Sequence, residues 1–364
     1  MKIGIVWLPN VGKSTLFNAL TKSYAADSGN FPFCTIDANT WIVDVKDPRI
    51  DKLSELSNSK NKIYANIEFV DIAWLVKWAS QGEWLGNKFL WNIREVDAIV
   101  QVVRHFDDEN INHVDGSVDP LRDVETINTE LIMSDLEQIE NKLPQLAKKY
   151  KSKDKEAVEL YPVLEKAKEK LEEGKIIYDL VDELSDKEKQ LIKPFNFLTN
   201  KPFVYALNVA EEDILNHESI SKDYKEKLNK PVAVVSAKIE ADMIDFDEDE
   251  KQEFIDDMFG WEKVPTLDDL IKLAFDEVGL MYYFTTWEKE TKAWTIKKNS
   301  TAPQAAWAIH TDFERWFIKA EVVNYEDLVS SGSWQKAKEN WKVKLQWKDY
   351  IVQDGDVIVF KFNV

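Results

Sequence analysis

The sequence predicts an α/β fold, a parallel sheet interrupted by a helical hairpin and followed by a small, β-rich C-terminal module. Three observations carry this. Residues 2–7, KIGIVW, form an apolar run that passes through WLPNVGKST into the helical pattern LFNALTKSY. Strand, tight loop and helix in that order open a parallel α/β sheet. Further on, Ile132, Leu136, Ile139, Leu143, Leu146 and Tyr150 recur at spacings of three and four, as do Ala157, Leu160, Leu164, Ala167 and Leu171. Polar KSKDKE separates the two seams, so they read as an antiparallel helical hairpin. From about Met281 the texture changes to short strands and one helix, with 12 basic against 11 acidic residues, whereas the whole chain carries −19.

The remaining strands follow from β-rich runs that end at polar residues: Ile67–Asp71, Ala98–Val103, Phe203–Asn208 and Val232–Ser236. In a parallel sheet such polar ends line the ligand crevice. Pro144 sits inside the first seam and is expected to kink or end that helix. In the C-terminal module KAWTIKK, FIKAEVV and DYIVQDGDVIVFKF read as strands, APQAAWAIHTDFERWF as the helix, and Asp354-Gly355-Asp356 as a hairpin turn. The division that results is 1–130 with 200–278 for the nucleotide-binding domain, 131–199 for the hairpin insertion and 281–364 for the last domain.

Composition sets limits on the function. A chain of 364 residues has room for two or three domains. With 44% hydrophobic and 31% charged residues it can bury a core. No stretch is apolar enough to span a membrane and MKIGIVWLPN has no leader character, so a soluble, cytoplasmic protein with no membrane partner is expected. The single cysteine, Cys34, fits a reducing compartment. The acidic balance leaves nucleic-acid contact to a local patch, and no direct DNA binding is expected.

The strongest motif is Trp7-Leu8-Pro9-Asn10-Val11-Gly12-Lys13-Ser14-Thr15. A phosphate loop requires Gly-x4-Gly-Lys-Ser/Thr. Its backbone N–H groups surround the phosphates, the lysine reaches the β/γ oxygens and the hydroxyl ligates Mg²⁺. Everything is present except the first glycine, which is Trp7. Glu68-Phe69-Val70-Asp71 then ends a strand in a carboxylate suited to a second Mg²⁺ position, and its usual following glycine is Trp74. Between the two, Thr35 in NFPFCT is the candidate switch residue joining Mg²⁺ and γ-phosphate.

These residues resemble the Obg-like ATPases of the YchF type, a branch of the translation-factor-related P-loop GTPases. LPNVGKSTLFNALT, NFPFCTID, EFVDIA, GNKFLWNIREVDAI, NVAE, SAKIEAD, TAPQAA, IHTDF and DYIVQDGDVI track that family along the whole chain. The resemblance implies a P-loop nucleoside triphosphatase domain, an inserted α-helical coiled-coil hairpin and a C-terminal TGS domain of β-grasp type. It also implies binding to the ribosome or a ribosomal subunit. His310-Thr311-Asp312-Phe313 and the Asp354-Gly355-Asp356 turn match the TGS pattern.

Base choice departs from ordinary GTPases, whose Asn-Lys-x-Asp clamps guanine. Here the segment reads Asn208-Val209-Ala210-Glu211, without the lysine and with the longer acid. Asn208 is expected to pair with the adenine edge instead, with Ser236-Ala237-Lys238 backing the base through main-chain contacts. Leu75 stands where many GTPases carry the water-orienting glutamine. Turnover is therefore expected to be slow, with His113 the candidate for the missing role. The reading is an ATP- or GTP-hydrolysing switch with Mg²⁺ as cofactor: Lys13, Thr35 and His113 catalytic; Ser14, Thr35 and Asp71 toward the metal. Asn10, Val11, Gly12, Lys13, Ser14, Thr15, Asn208, Val209, Glu211, Ser236 and Ala237 would surround the nucleotide. Its rivals are a GTP-preferring ribosome-assembly GTPase and a nucleotide-dead adaptor, the latter favoured by Trp7.

One count is out of scale. Fourteen tryptophans outnumber 11 glycines, whereas glycine alone averages about 7% of soluble chains. Trp7 and Trp74 stand at glycine positions of the phosphate motifs. Trp41, Trp78, Trp84, Trp287, Trp307, Trp316, Trp341 and Trp347 align with glycines of the family pattern, Trp294 with a tryptophan, and Trp91, Trp261 and Trp334 less certainly with either. A UGA codon read as glycine in the source but written as tryptophan would produce this pattern.

Overall fold

The computed structural model describes residues 1–23, 40–72, 83–107, 117–260 and 262–363. Its contacts gather into two compact units, one holding Met1–Ser23 and Glu68–Leu270, the other Ile42–Ile67 and the chain from Ile271 onward.

The chain opens with β1 (Lys2–Trp7) and α1 (Lys13–Ser23). Next come β2 (Thr40–Val45), α2 (Pro48–Ser57), β3 (Asn61–Ile63) and β4 (Ala65–Asp71). After α3 (Glu83–Arg94) and β5 (Ala98–Arg104) stand two long helices, α4 (Pro120–Lys151) and α5 (Lys155–Glu172), and the short α6 (Asp186–Ile192). Then follow β6 (Phe203–Asn208), α7 (His217–Leu228), β7 (Val232–Val235), α8 (Ala237–Asp242), α9 (Glu248–Phe259) and α10 (Leu267–Glu277). The first sheet has the order β2-β4-β1-β5-β6-β7. Strand β1 runs parallel between β4 and β5, and β6 parallel between β5 and β7. Every residue of β5 and β6 is buried, as expected of central parallel strands covered on both faces. This arrangement brings the C-terminal ends of β1, β4, β6 and β7, with the polar residues that follow them, to one edge of the sheet.

The hairpin of α4 and α5 buries Ile132, Ile139 and Leu146 on one helix and Ala157, Leu160, Leu164, Ala167 and Leu171 on the other. Pro144 does not end the first helix, which continues to Lys151. Proline deletes one backbone bond and crowds one carbonyl; here it lies on the exposed side, and the apolar seam holds the turns on either side. At the base of the hairpin the fully buried Asp135 accepts hydrogen bonds from the Leu198 and Thr199 amides and the Thr199 hydroxyl, at 3.0, 2.8 and 2.8 Å. Burial still raises its pKa, since desolvation of the charge outweighs the three donors.

In the second unit β8 (Leu280–Thr286) and β9 (Glu290–Lys297) form an antiparallel pair. They are followed by α11 (Ala302–Ile309), α12 (Thr311–Arg315) and β10 (Phe317–Asn324). The chain ends with α13 (Tyr325–Ser331), α14 (Trp334–Glu339), β11 (Lys344–Gln346) and β12 (Asp356–Phe362). The sheet order is β11-β10-β12-β8-β9-β3. Helix α11 closes one face, where the Tyr283 hydroxyl donates to the Ala305 carbonyl at 2.8 Å among Met281, Ile296 and Ile358.

Residues 42–67, which the sequence reading places in the nucleotide-binding domain, group with this second unit. Two contacts explain why. β3 ladders in parallel with β9, Asn61 opposite Glu290, and Arg49 joins α2 to the C-terminal strands. Its guanidinium grips Asp47 through Nε and Nη2, reaches Asp354 with Nη1 at 2.8 Å, and lies over the rings of Tyr282 and Phe284. Gly355 has φ +81°, and a Cβ there would come within 2.7 Å of Arg49 Nη1. The Asp-Gly-Asp turn needs its glycine for both reasons.

Candidate functional site

Strand β1 ends in the buried Trp7, and the loop 8–12 turns back into α1. The reversal uses two left-handed residues, Asn10 at φ +66° and Gly12 at φ +88°, where asparagine and glycine are the residue types that pay least. Val11 is wholly buried. Helix α1 begins at Lys13, with the Leu16 amide donating to the Gly12 carbonyl at 3.1 Å. Its free amides and axial dipole favour an anion at this end, and Ser14 and Thr15 lie exposed in the first turn.

Asn208, at the end of β6, fixes the loop from behind. Its Nδ2 donates to the Val11 carbonyl and its Oδ1 accepts from the Ala237 amide, both at 2.9 Å. A Cβ on Gly12 would lie 2.4 Å from Asn208 Nδ2, so this glycine is required by packing as well as by φ. Only 3% of Asn208 is exposed. The amide that the sequence suggests for adenine is therefore turned inward, and its work here is to bind the phosphate loop to the start of α8. Direct pairing with a base would require breaking both bonds.

The neighbouring residues take similar places. Val209 is buried and donates its amide to the Val235 carbonyl, while Ser236 and Ala237 are buried at the end of β7. Glu211 is ion-paired and hydrogen-bonded to Lys238, a partnership that sequence reading did not single out. Arg104, buried at the end of β5, was missed too; its Nε donates to the Phe106 carbonyl at 2.9 Å.

On the phosphate side Lys13 Nζ lies 2.6 Å from Asp71 Oδ2 and 4.1 Å from the centre of the Trp7 ring. The structure thus unites Lys13 and Asp71 from the two separate motifs, as the spacing predicts. Burial raises the Asp71 pKa despite the lysine beside it. Its second oxygen, Oδ1, is buried without a hydrogen-bond partner among the described residues. Thr35, Trp74, Leu75 and His113 lie outside the described residues. A half-exposed lysine at a helix start, a half-buried carboxylate paired with it and a glycine-dependent turn on a parallel sheet define the nucleotide site of a P-loop nucleoside triphosphate hydrolase.

Comparison with known proteins narrows the class. Residues 2–142 match the family model described as 50S ribosome-binding GTPase, and residues 280–363 match YchF-GTPase_C, described as a protein of unknown function. The protein of Bacillus subtilis named "Ribosome-binding ATPase YchF" is 49% identical over 366 residues, covering 99% of both chains. That of Escherichia coli O157:H7, with the same name, is 46% identical over 100% of this chain and 99% of its own. Among solved structures, the YchF GTPase of Schizosaccharomyces pombe superposes with a TM-score of 0.85 at 36% identity, covering 99% of this chain and 97% of its own. A GTP-binding protein of Pyrococcus horikoshii shares the fold at a TM-score of 0.60 and 19% identity. The chain belongs to the YchF family.

Proposed function

We propose that this protein is a ribosome-associated ATPase that also accepts GTP and serves as a slow conformational switch in translation, in the cytoplasm. The observation that carries the base preference is the pairing of Glu211 with Lys238 at the place where GTPases keep an aspartate free for guanine. A carboxylate held by a lysine is a poor acceptor for two guanine N–H donors. The name of the Bacillus and Escherichia relatives, ribosome-binding ATPases, supports the same reading.

Mg²⁺ fits the donors present. Hydroxyl and carboxylate oxygens suit a hard cation, and the unpartnered Asp71 Oδ1 offers such an oxygen in a buried position. Ser14, Thr35 and Asp71 would hold the ion, which when bound neutralises charge on the β/γ oxygens. Lys13 would leave Asp71 for the phosphates, the α1 amides would receive them, and Asn208 would keep the loop in shape. His113 would orient the attacking water. We retain the TGS reading of the last domain and the hairpin insertion over 131–199 as parts of this proposal.

Competition of ATP against labelled GTP tests the base preference, using Trp7→Gly protein so that the ring does not decide the result. ATP should displace GTP at comparable or lower concentration. A tenfold preference for GTP, about 1.4 kcal/mol, would instead support the ribosome-assembly GTPase reading. His113→Ala should slow hydrolysis and leave ATP affinity nearly unchanged; equal loss of both would remove His113 from the water-orienting role.

A further inference from the structure

We infer that the tryptophans at 7, 287, 307, 316, 341 and 347 stand at UGA codons that the source organism reads as glycine, so that the native protein carries an open phosphate loop. UGA is a stop in the common code but is reassigned to tryptophan in some lineages and to glycine in others. The chain as written carries the first assignment, and its geometry asks for the second.

Position 341 gives the clearest local evidence. Helix α14 ends with the Lys342 amide on the Ala337 carbonyl at 2.9 Å and the Trp341 amide on that of Lys338 at 3.2 Å. This pair of bonds is the Schellman ending, whose first residue past the cap is left-handed and is usually glycine. Trp341 has φ +59° and is 88% exposed. Among the described residues, the other non-glycine positions with positive φ are asparagines, apart from Lys153. A bulky side chain at positive φ is an outlier, and here the indole gains no burial in return. The preceding helix, α13, shows the expected form: it ends at Gly332 with φ +74°.

The same contrast holds at four other positions. Trp287, Trp307, Trp316 and Trp347 are all exposed, although tryptophan is on average highly buried. Trp287 and Trp347 also sit in turns, the Trp287 amide donating to the Glu290 carbonyl and the Trp347 carbonyl accepting from the Tyr350 amide. Trp294 is the control, the one tryptophan the sequence matches to a family tryptophan. It is partly buried against the core of the C-terminal sheet, its Nε1 donates to Thr285 Oγ1 at 2.9 Å, and Lys292 lies over its ring. Its contacts are those a tryptophan makes; those of Trp341 are not.

At position 7 the consequence reaches the site. The first residue of Gly-x4-Gly-Lys-Ser must let backbone approach phosphate, yet here an indole stands under the Lys13 ammonium. Glycine at 7 removes that ring from the lysine. Trp41, Trp74, Trp78 and Trp84 join the set on sequence alone.

Reading the gene decides the matter independently of any nucleotide chemistry. The inference predicts UGA at codons 7, 287, 307, 316, 341 and 347 and UGG at 294; UGG throughout overturns it. Mass spectrometry of the tryptic peptide spanning residue 7, from the source organism, should give the mass for glycine; the mass for tryptophan overturns it. In recombinant protein Trp341→Gly should raise the melting temperature and Trp294→Gly lower it, and equal effects would contradict the structural argument. Trp7→Gly should bind Mg·ATP at least tenfold more tightly than the Trp7 chain. Unchanged affinity would show that the ring does not obstruct the loop.

Discussion

In each unit of the molecule a polar side chain joins separate elements, the fully enclosed Asn208 in one and the half-buried Arg49 in the other, and the two are of opposite kinds. In the first, the neutral amide of Asn208 joins the phosphate loop to α8 by one donated and one accepted bond. In the second, the Arg49 cation joins α2 to the Asp354 turn and packs on two rings. A neutral amide with both ends hydrogen-bonded costs far less to bury than a charge, which suits a loop meant to receive a triphosphate. A guanidinium must be paired to be buried, and its carboxylates supply the pairing where no ligand charge interferes.

Asn208→Ala should show the largest effect. It strands the Val11 carbonyl and the Ala237 amide in the interior, a loss of about 3 kcal/mol in unfolding free energy, and it should weaken nucleotide binding as well. Chemical denaturation and ATP titration together check this; loss of stability with intact affinity would mean that the amide does not shape the loop. Arg49→Met should cost somewhat less, about 2 kcal/mol, because Asp47 keeps its bond from Tyr282. Nucleotide affinity should stay unchanged, and a parallel loss there would collapse the contrast between the two side chains.

A smaller, pH-dependent effect sharpens the electrostatic side of the comparison. Burial pushes the Glu240 carboxyl up to about 7, although it accepts the Leu267 amide at 2.7 Å. The native state therefore holds a proton that the unfolded state has released, so stability falls as pH rises from about 4.5 to 7. Glu240→Gln should remove that slope and gain up to about 3 kcal/mol above pH 7. Denaturation curves at pH 5 and pH 8 test it, and an unchanged slope would place the proton elsewhere. Asp354→Asn should matter least, under about 1 kcal/mol by the same measurement, since half of that carboxylate faces water.

These contrasts also mark how far the sequence could be read. Strands β4 to β7 were legible within a residue or two, because each is an apolar run with a polar end and the period needs no distant partner. The union of Lys13 with Asp71 was legible from motif spacing. The grouping of residues 42–67 with the C-terminal strands was not, since β3 is three residues long and meets β9 across more than two hundred positions. Asn208 was legible as the polar end of β6, whereas its inward bonds to Val11 and Ala237 were not. Its type and place follow from the strand end, while the inward turn depends on the Val11 carbonyl, whose orientation only the folded loop sets. The helix through Pro144 escaped for a similar reason: local propensity argues for a break, and packing against α5 overrides it.

Whether this loop holds a nucleoside triphosphate through Lys13 is decided by one titration. A fluorescent ATP analogue with Mg²⁺ is added to Trp7→Gly protein and to the same protein carrying Lys13→Ala. Saturable micromolar binding is expected in the first and its loss in the second; that dependence on Lys13 is what the phosphate loop requires. Absence of binding in both would contradict it and leave the adaptor reading in place, and equal binding in both would contradict the role of Lys13.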